Sequence, residues 1–508
     1  MNNILLGLEA LLQPLPLIGL FLGSMIGLIV GSLPGLNDSI TMAVLIPITF
    51  GMDSKLAFCL LIGIYCSSST GGSIPAVLLK IPGTASAMVT TLDGYPMSRK
   101  GKSGEALGIA LFSSFFGGMV SAILLLLLSP ILAKQALKFG PPEYFMLSLL
   151  GMSTVIGMSG DSIAKNLISM CVGLFISMIG MSMQTGVSRF TFGNPYLLDG
   201  VSLVPMLIGL FGITSVLELV EGLNNKVDFD KFRIEYKKVK TIIPDKELKK
   251  RLLATWIQSS LIGNVIGIIP GAGMVMAIFI AYDQAVKQNP NYEFGTGIPE
   301  GIAAPESSNN AVVASSMVPL LSLGVPGNST SALFLGALTI QGLRTGPSLF
   351  SDHPDMAYLI IFGFLIANLI ILPMSLIYCN FFATNILRIK QEILSAIIIM
   401  LCVTGAFSVN NSVFNIVIII VFGIIGYFFN KFNIPISSLI LAAVLGKMME
   451  SNWIQSMVYA NGSLKIFTTR PISLILLLLT IAFMIIPVLK KIKRRNSICD
   501  TESNERCS

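Results

Sequence analysis

The chain has 508 residues, 53% of them hydrophobic and 12% charged, with a formal net charge of +7 and a mean hydropathy of +0.80. A soluble domain carries roughly twice that charged fraction, so the composition excludes an ordinary soluble protein. Apolar runs such as 358–378 and 472–489 approach the ~20 residues that cross a bilayer core, and they lack the alternation of an outer-membrane barrel. The fold class is an all-α polytopic membrane protein.

In chain order, MNNILLGLEALLQPLPLIGL has no basic n-region and reads as the approach to a first membrane helix at about 15–30, not as a cleavable signal. Pieces interrupted by Gly, Pro and Ser follow to about residue 92. Longer apolar segments are expected at 107–133, 144–158, 163–183 and 201–217. A charged loop at about 221–250 follows, with a short helix in EYKKVKTIIPDKELKKRL. A second interrupted region spans 252–350, and about four or five plainer segments reach 489. The total is roughly ten to twelve membrane segments. The domains divide as 1–135, a first repeat; 136–220, connecting helices; 221–251, a basic loop; 252–350, a second repeat; 351–490, remaining helices; and 491–508, a tail.

Charge placement sets the expected topology. Ten Lys/Arg against five Asp/Glu lie between Lys226 and Arg251, and Lys490, Lys491, Lys493, Arg494 and Arg495 follow the last apolar run. Both stretches, and with them the C-terminus, are expected on the cytoplasmic side; they read as topology signals and not as nucleic-acid contacts. Cys59, Cys66, Cys171 and Cys402 sit in apolar segments with no CxxC pair, as small apolar residues.

The two interrupted regions resemble each other. The first holds GSLPG, with Pro34 and Gly35, and KIPGTASAM, with Pro82 and Gly83. The second holds GIIPG, with Pro270 and Gly271, and GVPGNSTSAL, with Pro326 and Gly327. The prolines are 48 residues apart in the first region and 56 in the second, and an eight-residue insertion such as FGTGIPEG reconciles them. SRKGKSGE after the first region is basic, whereas SLFSDHPDM after the second carries Asp352 and Asp355. Corresponding ends on opposite sides of the membrane point to inverted-topology repeats, the architecture of secondary transporters. Two parallel repeats are the alternative.

Proline removes a backbone donor and glycine permits left-handed turns, so Pro-Gly at membrane depth breaks a helix. The freed groups are tolerated only against protein or a watery cavity. Thr84, Ser86 and Thr90 follow one break and Asn328, Ser329, Thr330 and Ser331 the other, where they are expected to cap the new helices and leave N–H donors for an anion. Lys80 either snorkels to an interface or meets a substrate carboxylate. Asn37 and Asp38, and Glu306 with Asn309 and Asn310, offer oxygens suited to Na⁺ or to a titrating proton site. A packing kink or a helix cap is the bland reading of each. His353 stands alone on a polar loop. GKS at 101–103 lacks the first glycine of a phosphate loop, whose place is taken by Pro96. No HExxH or GxSxG motif is present, so the chain is expected to be no enzyme, to carry no cofactor, and to draw on an ion gradient.

The stretches GSLPGLNDSITMAVLIPITFGMD, GGSIPAVLLKIPGTASAMVTTLDGYPMSRKGKSGEALG, IPGAGMVMAIFIAYDQAV and FGTGIPEGIAAPESSNNAVVASSMVPLLSLGVPGNSTSALFLGALTIQGLRTGPSLF resemble the TctA-like large membrane subunit of tripartite tricarboxylate transporters over about 15–350. The family's motifs map onto Pro34, Gly35, Pro82, Gly83, Asp93, Gly94, Pro270, Gly271, Glu306, Asn309, Asn310, Pro326 and Gly327. The resemblance implies a bacterial inner-membrane permease for tricarboxylates or related organic anions, driven by Na⁺ or H⁺. It also implies two partners: an extracytoplasmic solute-binding protein and a small four-helix membrane subunit. A channel or exporter on the same fold is the alternative.

Overall fold

The structure, a computed structural model, describes residues 2–33, 36–157, 163–182, 185–222, 241–382 and 391–485. Pro34 and Gly35, most of the 221–251 loop and the 491–508 tail lie outside the described residues. The chain is an all-α polytopic membrane protein. Six of its described helical segments are long and apolar enough to cross a membrane, and shorter apolar helices accompany them.

The first helices are α1 (Asn2–Leu11), α2 (Pro14–Gly31), α3 (Asp38–Leu45), α4 (Ser54–Gly71), α5 (Ser73–Leu79), α6 (Thr90–Met97) and α7 (Ser103–Ala136). Next come α8 (Pro141–Gly157), α9 (Ile163–Ser177), α10 (Leu203–Ile208) and α11 (Thr214–Gly222). The second interrupted region forms α12 (Lys246–Ile268), α13 (Gly273–Gln288), α14 (Pro299–Ser315), α15 (Met317–Leu323), α16 (Ser329–Ile340), α17 (Pro347–Asp352) and α18 (Pro354–Phe382). The later helices include α19 (Gln391–Ser408), α20 (Phe414–Lys431) and α21 (Ile436–Tyr459).

Two expectations shift. The 163–183 segment ends at Ser177, because Gly180 at φ +119° leads into a short strand paired with Ser188–Arg189. The basic run at 246–251 is no loop but the first turns of α12, capped by the Asp245 side chain, which accepts the Leu248 N–H.

The chain forms two compact units. The first comprises Met1–Ala136, Ser202–Ile269 and Gly273–Phe429. Its centre is α4 and α14, both buried along their length. Gly19, Gly23, Gly27 and Gly31 recur every fourth residue on α2 and face Leu56, Leu60, Ile64 and Ser68 of α4. A Cβ at Gly23 would overlap the Leu60 carbonyl oxygen. With no hydrophobic drive between helices in lipid, such close backbone approach is how membrane helices gain contact. On α12, Gly263 meets Ser308 and Gly267 meets Val312 and Ser315 of α14, the same parallel packing at corresponding positions.

The helix ends correspond too. α4 kinks at Gly72 into α5, which stops at Lys80 in the left-handed region (φ +62°) before Pro82-Gly83. α14 kinks at Ser316 into α15, which stops at Gly324 (φ +76°) before Pro326-Gly327. Beyond these breaks, α6–α7 and α16–α18 continue the chain. α7 packs on α14, with Ser121 donating to the Ala311 carbonyl at 2.5 Å, and α18 packs on α4, with Phe364 against Tyr65.

The second unit comprises Leu137–Val201, Pro270–Ala272 and Asn430–Ser508. Its helices α8, α9 and α21 are joined by the Arg189–Glu450 fork at 2.5 and 3.0 Å and by Arg470 on the buried Glu143 at 2.5 Å. Phe145, Trp453 and Phe467 stack between them. The Pro270 carbonyl, freed by the break between α12 and α13, accepts the Thr154 hydroxyl of α8, which answers the demand that no backbone group face lipid unpaired.

Candidate functional site

The site builds from the helix breaks of the first unit. Gly83 donates its N–H to the Gly72 carbonyl at 3.1 Å, which folds the hairpin tip back onto the α4 kink. A Cβ on Gly83 would overlap the Gly31 carbonyl oxygen and lie 2.9 Å from the Gly72 Cα. A Cβ on Gly327 would lie 2.6 Å from the Gly267 carbonyl oxygen and 2.9 Å from the Ser316 Cα. Each tip thus rests on the end of a glycine-lined helix and on a kink residue, at matching positions.

α4 and α14 cross in antiparallel order. Thr70 donates to Asn310 Oδ1 at 3.0 Å, and five residues earlier Tyr65 meets Ser316 at 3.0 Å. The Tyr65 hydroxyl also accepts from Asn328 Nδ2 at 2.9 Å. Asn328 caps α16 with a complete capping box: its side chain accepts the Ser331 N–H, and the Ser331 hydroxyl accepts the Asn328 N–H, both at 2.8 Å. Thr330 pairs with Ser39 at the start of α3, 2.9 Å away. The break before α16 therefore behaves as the sequence expects. The break before α6 does not. Thr84 and Ser86 bond each other at 3.0 Å instead of capping, because a single 3₁₀ turn (Ala85–Ala87) replaces a regular helix start.

The acidic and amide residues separate into two groups. Glu306 is fully buried; Oε1 accepts from Thr90 at 2.5 Å and Oε2 from Ser114 at 2.9 Å. Asn310 is held by Thr70 and by the Glu306 carbonyl. Asn37 caps α3, accepting the Ile40 N–H at 2.8 Å. Asp38 and Asn309 differ: Asp38 Oδ1 and Asn309 Oδ1 are buried with no hydrogen-bond partner among the described residues. Both lie beside Ser69, whose carbonyl accepts Asn309 Nδ2 at 3.4 Å.

Lys80 stands apart from this cluster. It is exposed and lies over the Tyr95 ring at 5.9 Å. Its left-handed backbone falls where the second region has Gly324, and a side chain there costs roughly 1 kcal/mol. Lys80→Gly is expected to stabilise the purified protein by up to about 1 kcal/mol, read as a higher midpoint of thermal unfolding. Pro34 and Gly35 lie outside the described residues, and Pro270-Gly271 forms the turn between α12 and α13, with Gly271 at φ +79°.

Tyr65, Ser68, Ser69, Ser114 and Ser316 were not singled out from sequence. For Ser68 and Ser69 the signal is CSSSTGGS, a polar run that follows Tyr65 in a segment otherwise apolar enough to be a buried span, whereas nothing local marks Ser114 or Ser316. Asp93, in the first turn of α6, proves to be an anchor. Its Oδ1 accepts the N–H groups of Gly295, Gly297 and Ile298 at 2.8–2.9 Å, and Oδ2 accepts the Tyr282 hydroxyl at 2.9 Å. It holds the loop that starts α14. Gln341, the C-cap of α16, accepts from Ser54 at 2.8 Å and donates to the Thr49 carbonyl at 3.4 Å, so it holds the loop that starts α4.

The model of the tripartite tricarboxylate transporter TctA family matches residues 17–441. An uncharacterized 52.8 kDa protein in the TAR-I ttuC' 3' region of Agrobacterium vitis is 35% identical over 496 residues, 97% of either chain. An uncharacterized protein in the TAR-II ttuC' 3' region of the same organism is 34% identical over 235 residues, 46% of this chain and 96% of that one. No solved structure matches. With buried broken helices in a multi-pass membrane fold and a family match over most of its length, the chain belongs to the TctA family, the large membrane subunits of tripartite tricarboxylate transporters.

Proposed function

We propose that this chain is the permease of a binding-protein-dependent secondary transporter that imports a tricarboxylate or related organic anion by ion-coupled symport with alternating access. The observation that carries the reading is the pair of Pro-Gly hairpins, each seated on a glycine-lined helix end and a kink residue, on central helices that cross antiparallel. This correspondence supports two inverted-topology repeats, and such repeats place substrate at broken helices near the membrane midplane.

In this reading Pro82, Gly83, Thr84 and Ser86 on one side, and Pro326, Gly327, Asn328, Ser329 and Thr330 on the other, present hydroxyls and backbone N–H groups to the substrate carboxylates. The partial positive charge at the start of α16 favours an anion. Lys80 lends its ammonium from the rim. Asn37, Asp38, Glu306, Asn309 and Asn310 are the candidates for the coupling ion, Na⁺ or H⁺, and Pro270 and Gly271 provide a further backbone break. One hairpin-bearing part moves against the remaining helices. The chain uses no cofactor and catalyses no reaction. A solute-binding protein delivers substrate on the extracytoplasmic side, and a small four-helix subunit completes the complex in the bacterial inner membrane.

Orientation follows from charge. Lys100 donates to the Thr296 carbonyl at 2.7 Å and Arg251 forks onto the buried Glu300 at 2.6 and 2.8 Å, which gathers basic residues near the start of α14. The positive-inside rule assigns that end, and the C-terminus, to the cytoplasm.

The test is uptake of labelled carboxylates into proteoliposomes holding the full complex under defined Na⁺ and H⁺ gradients. Saturable uptake that stops when both gradients are collapsed supports the carrier; uptake indifferent to both, or flux that never saturates, overturns it. Asn328→Ala removes the cap of α16 and its link to Tyr65, and is expected to raise the substrate KM at least about tenfold, with a stability loss of about 1 kcal/mol. Lys80→Gln is expected to weaken carboxylate affinity with normal expression; unchanged kinetics would leave Lys80 only its place in the turn.

A further inference from the structure

We propose that the carboxylate of Asp38, the amide oxygen of Asn309 and the hydroxyl oxygens of Ser68 and Ser69 bind a monovalent hard cation of the Na⁺ class, and that Glu306 does not. The proposal rests on the transporter reading and assigns its coupling ion to one set of atoms.

The argument is a count of engaged oxygens. Five residues qualify by type. Both Glu306 oxygens already accept hydroxyl donors, from Thr90 and Ser114, and a cation there would have to face the hydrogens of those donors. The amide oxygens of Asn310 and Asn37 accept from Thr70 and from the Ile40 N–H. Only Asp38 Oδ1 and Asn309 Oδ1 remain buried without a partner among these five. An unpaired buried polar atom is costly, so a pair of them beside one serine calls for a shared partner.

The surrounding hydroxyls have a second acceptor each, which frees their oxygens when a cation is present. Ser68 donates to the Tyr65 carbonyl at 3.3 Å, and Ser69 directs its hydroxyl at Met274 Sδ, 4.0 Å away. Both hydroxyls lie within hydrogen-bond reach of the Asp38 carboxylate, and since each has a second acceptor, a cation at Asp38 Oδ1 would turn their hydrogens to those acceptors and take their oxygens as ligands. The orientation of the Asn309 amide is fixed, since its Nδ2 donates to the Ser69 carbonyl and leaves Oδ1 to the site.

The chemistry of this set separates the occupants. A proton would satisfy Asp38 alone, because an amide oxygen is not protonated at physiological pH, and Asn309 Oδ1 would stay unpaired. A divalent ion would bring two charges to a single carboxylate and leave one uncompensated in the membrane interior. A monovalent cation with oxygen ligands neutralises Asp38 and pairs both atoms at once. The set draws on α3, α4 and α14, so occupancy ties the start of one broken helix to both central helices.

Thermal unfolding of the purified membrane subunit in detergent, without substrate or partner proteins, tests this apart from transport. NaCl is titrated against choline chloride at constant ionic strength and at pH 6 and pH 8. The expected result is a saturable, Na⁺-specific rise in the unfolding midpoint at both pH values. Asp38→Asn and Asn309→Ala each weaken the apparent Na⁺ affinity at least tenfold, while Glu306→Gln retains it. Binding of ²²Na⁺ to the same variants provides a second readout, and Asn309→Ala serves if Asp38→Asn fails to fold. A midpoint that responds to pH but not to Na⁺, an unaltered Na⁺ response in Asn309→Ala, or a response lost only in Glu306→Gln overturns the assignment. Ion-coupled uptake could survive any of these outcomes, so the two readings fail separately.

Discussion

Asp93→Ala is expected to destabilise the protein by about 3–4 kcal/mol, because four donors lose one buried acceptor. Three backbone N–H groups, of Gly295, Gly297 and Ile298, and the Tyr282 hydroxyl all point at this carboxylate. Gly301 packs so closely on it that a Cβ there would overlap Asp93 Oδ2, which leaves a larger replacement no space. Alanine strands the donors where water enters poorly. Asp93→Asn keeps one acceptor oxygen and is expected to cost about 1–2 kcal/mol. Thermal unfolding in detergent gives the ranking, and protease cleavage within 289–298 gives the location, since the released loop should be cut first. Equal stability of the alanine and asparagine variants would show that the carboxylate does not hold the loop.

Gly83→Ala and Gly327→Ala are expected to impair uptake in parallel. In each, the added methyl group meets the backbone of a helix end, Gly31 in one case and Gly267 in the other, and the backbone of a kink residue. Neither obstacle is a flexible side chain that could swing aside. Overpacking of this kind costs about 1–3 kcal/mol, and here it lifts a hairpin tip off its seat. A loss of ~1.4 kcal/mol or more in the transport-competent arrangement lowers uptake at least about tenfold. Comparable losses in both variants support equivalent roles for the two hairpins; an effect confined to one would argue against equivalence. Gly140→Ala serves as a control, since Gly140 lies outside the left-handed region and an added Cβ meets nothing nearer than 3.4 Å.

The membrane class and the positions of the breaks were legible in the sequence because they depend on local chemistry. A run of apolar residues must be buried in lipid or protein, and Pro-Gly interrupts a helix in any setting. The Asn328 cap was legible for the same reason, as its partner is three residues away. The failure of Thr84 and Ser86 to cap was not, because their turn is set by how Gly83 folds back on Gly72. The glycine row of α2 carried a readable signal, Gly every fourth residue, that gains meaning only against α4.

The candidate site divides along the same line. The sequence names the oxygens that a cation or an anion could use, but whether each is free depends on partners far along the chain. Glu306 is engaged by Thr90 and Ser114, both about two hundred residues away. Asp93, in the first turn of α6, became an anchor only when folding brought the loop before α14 to it. By itself, then, the sequence determined a membrane protein with two pairs of helix breaks flanked by oxygen-rich side chains. The tertiary structure alone decided which of those oxygens are spent on hydrogen bonds and which are left for a ligand, because the packing of α4, α6 and α7 against α14 determines which donor reaches which acceptor.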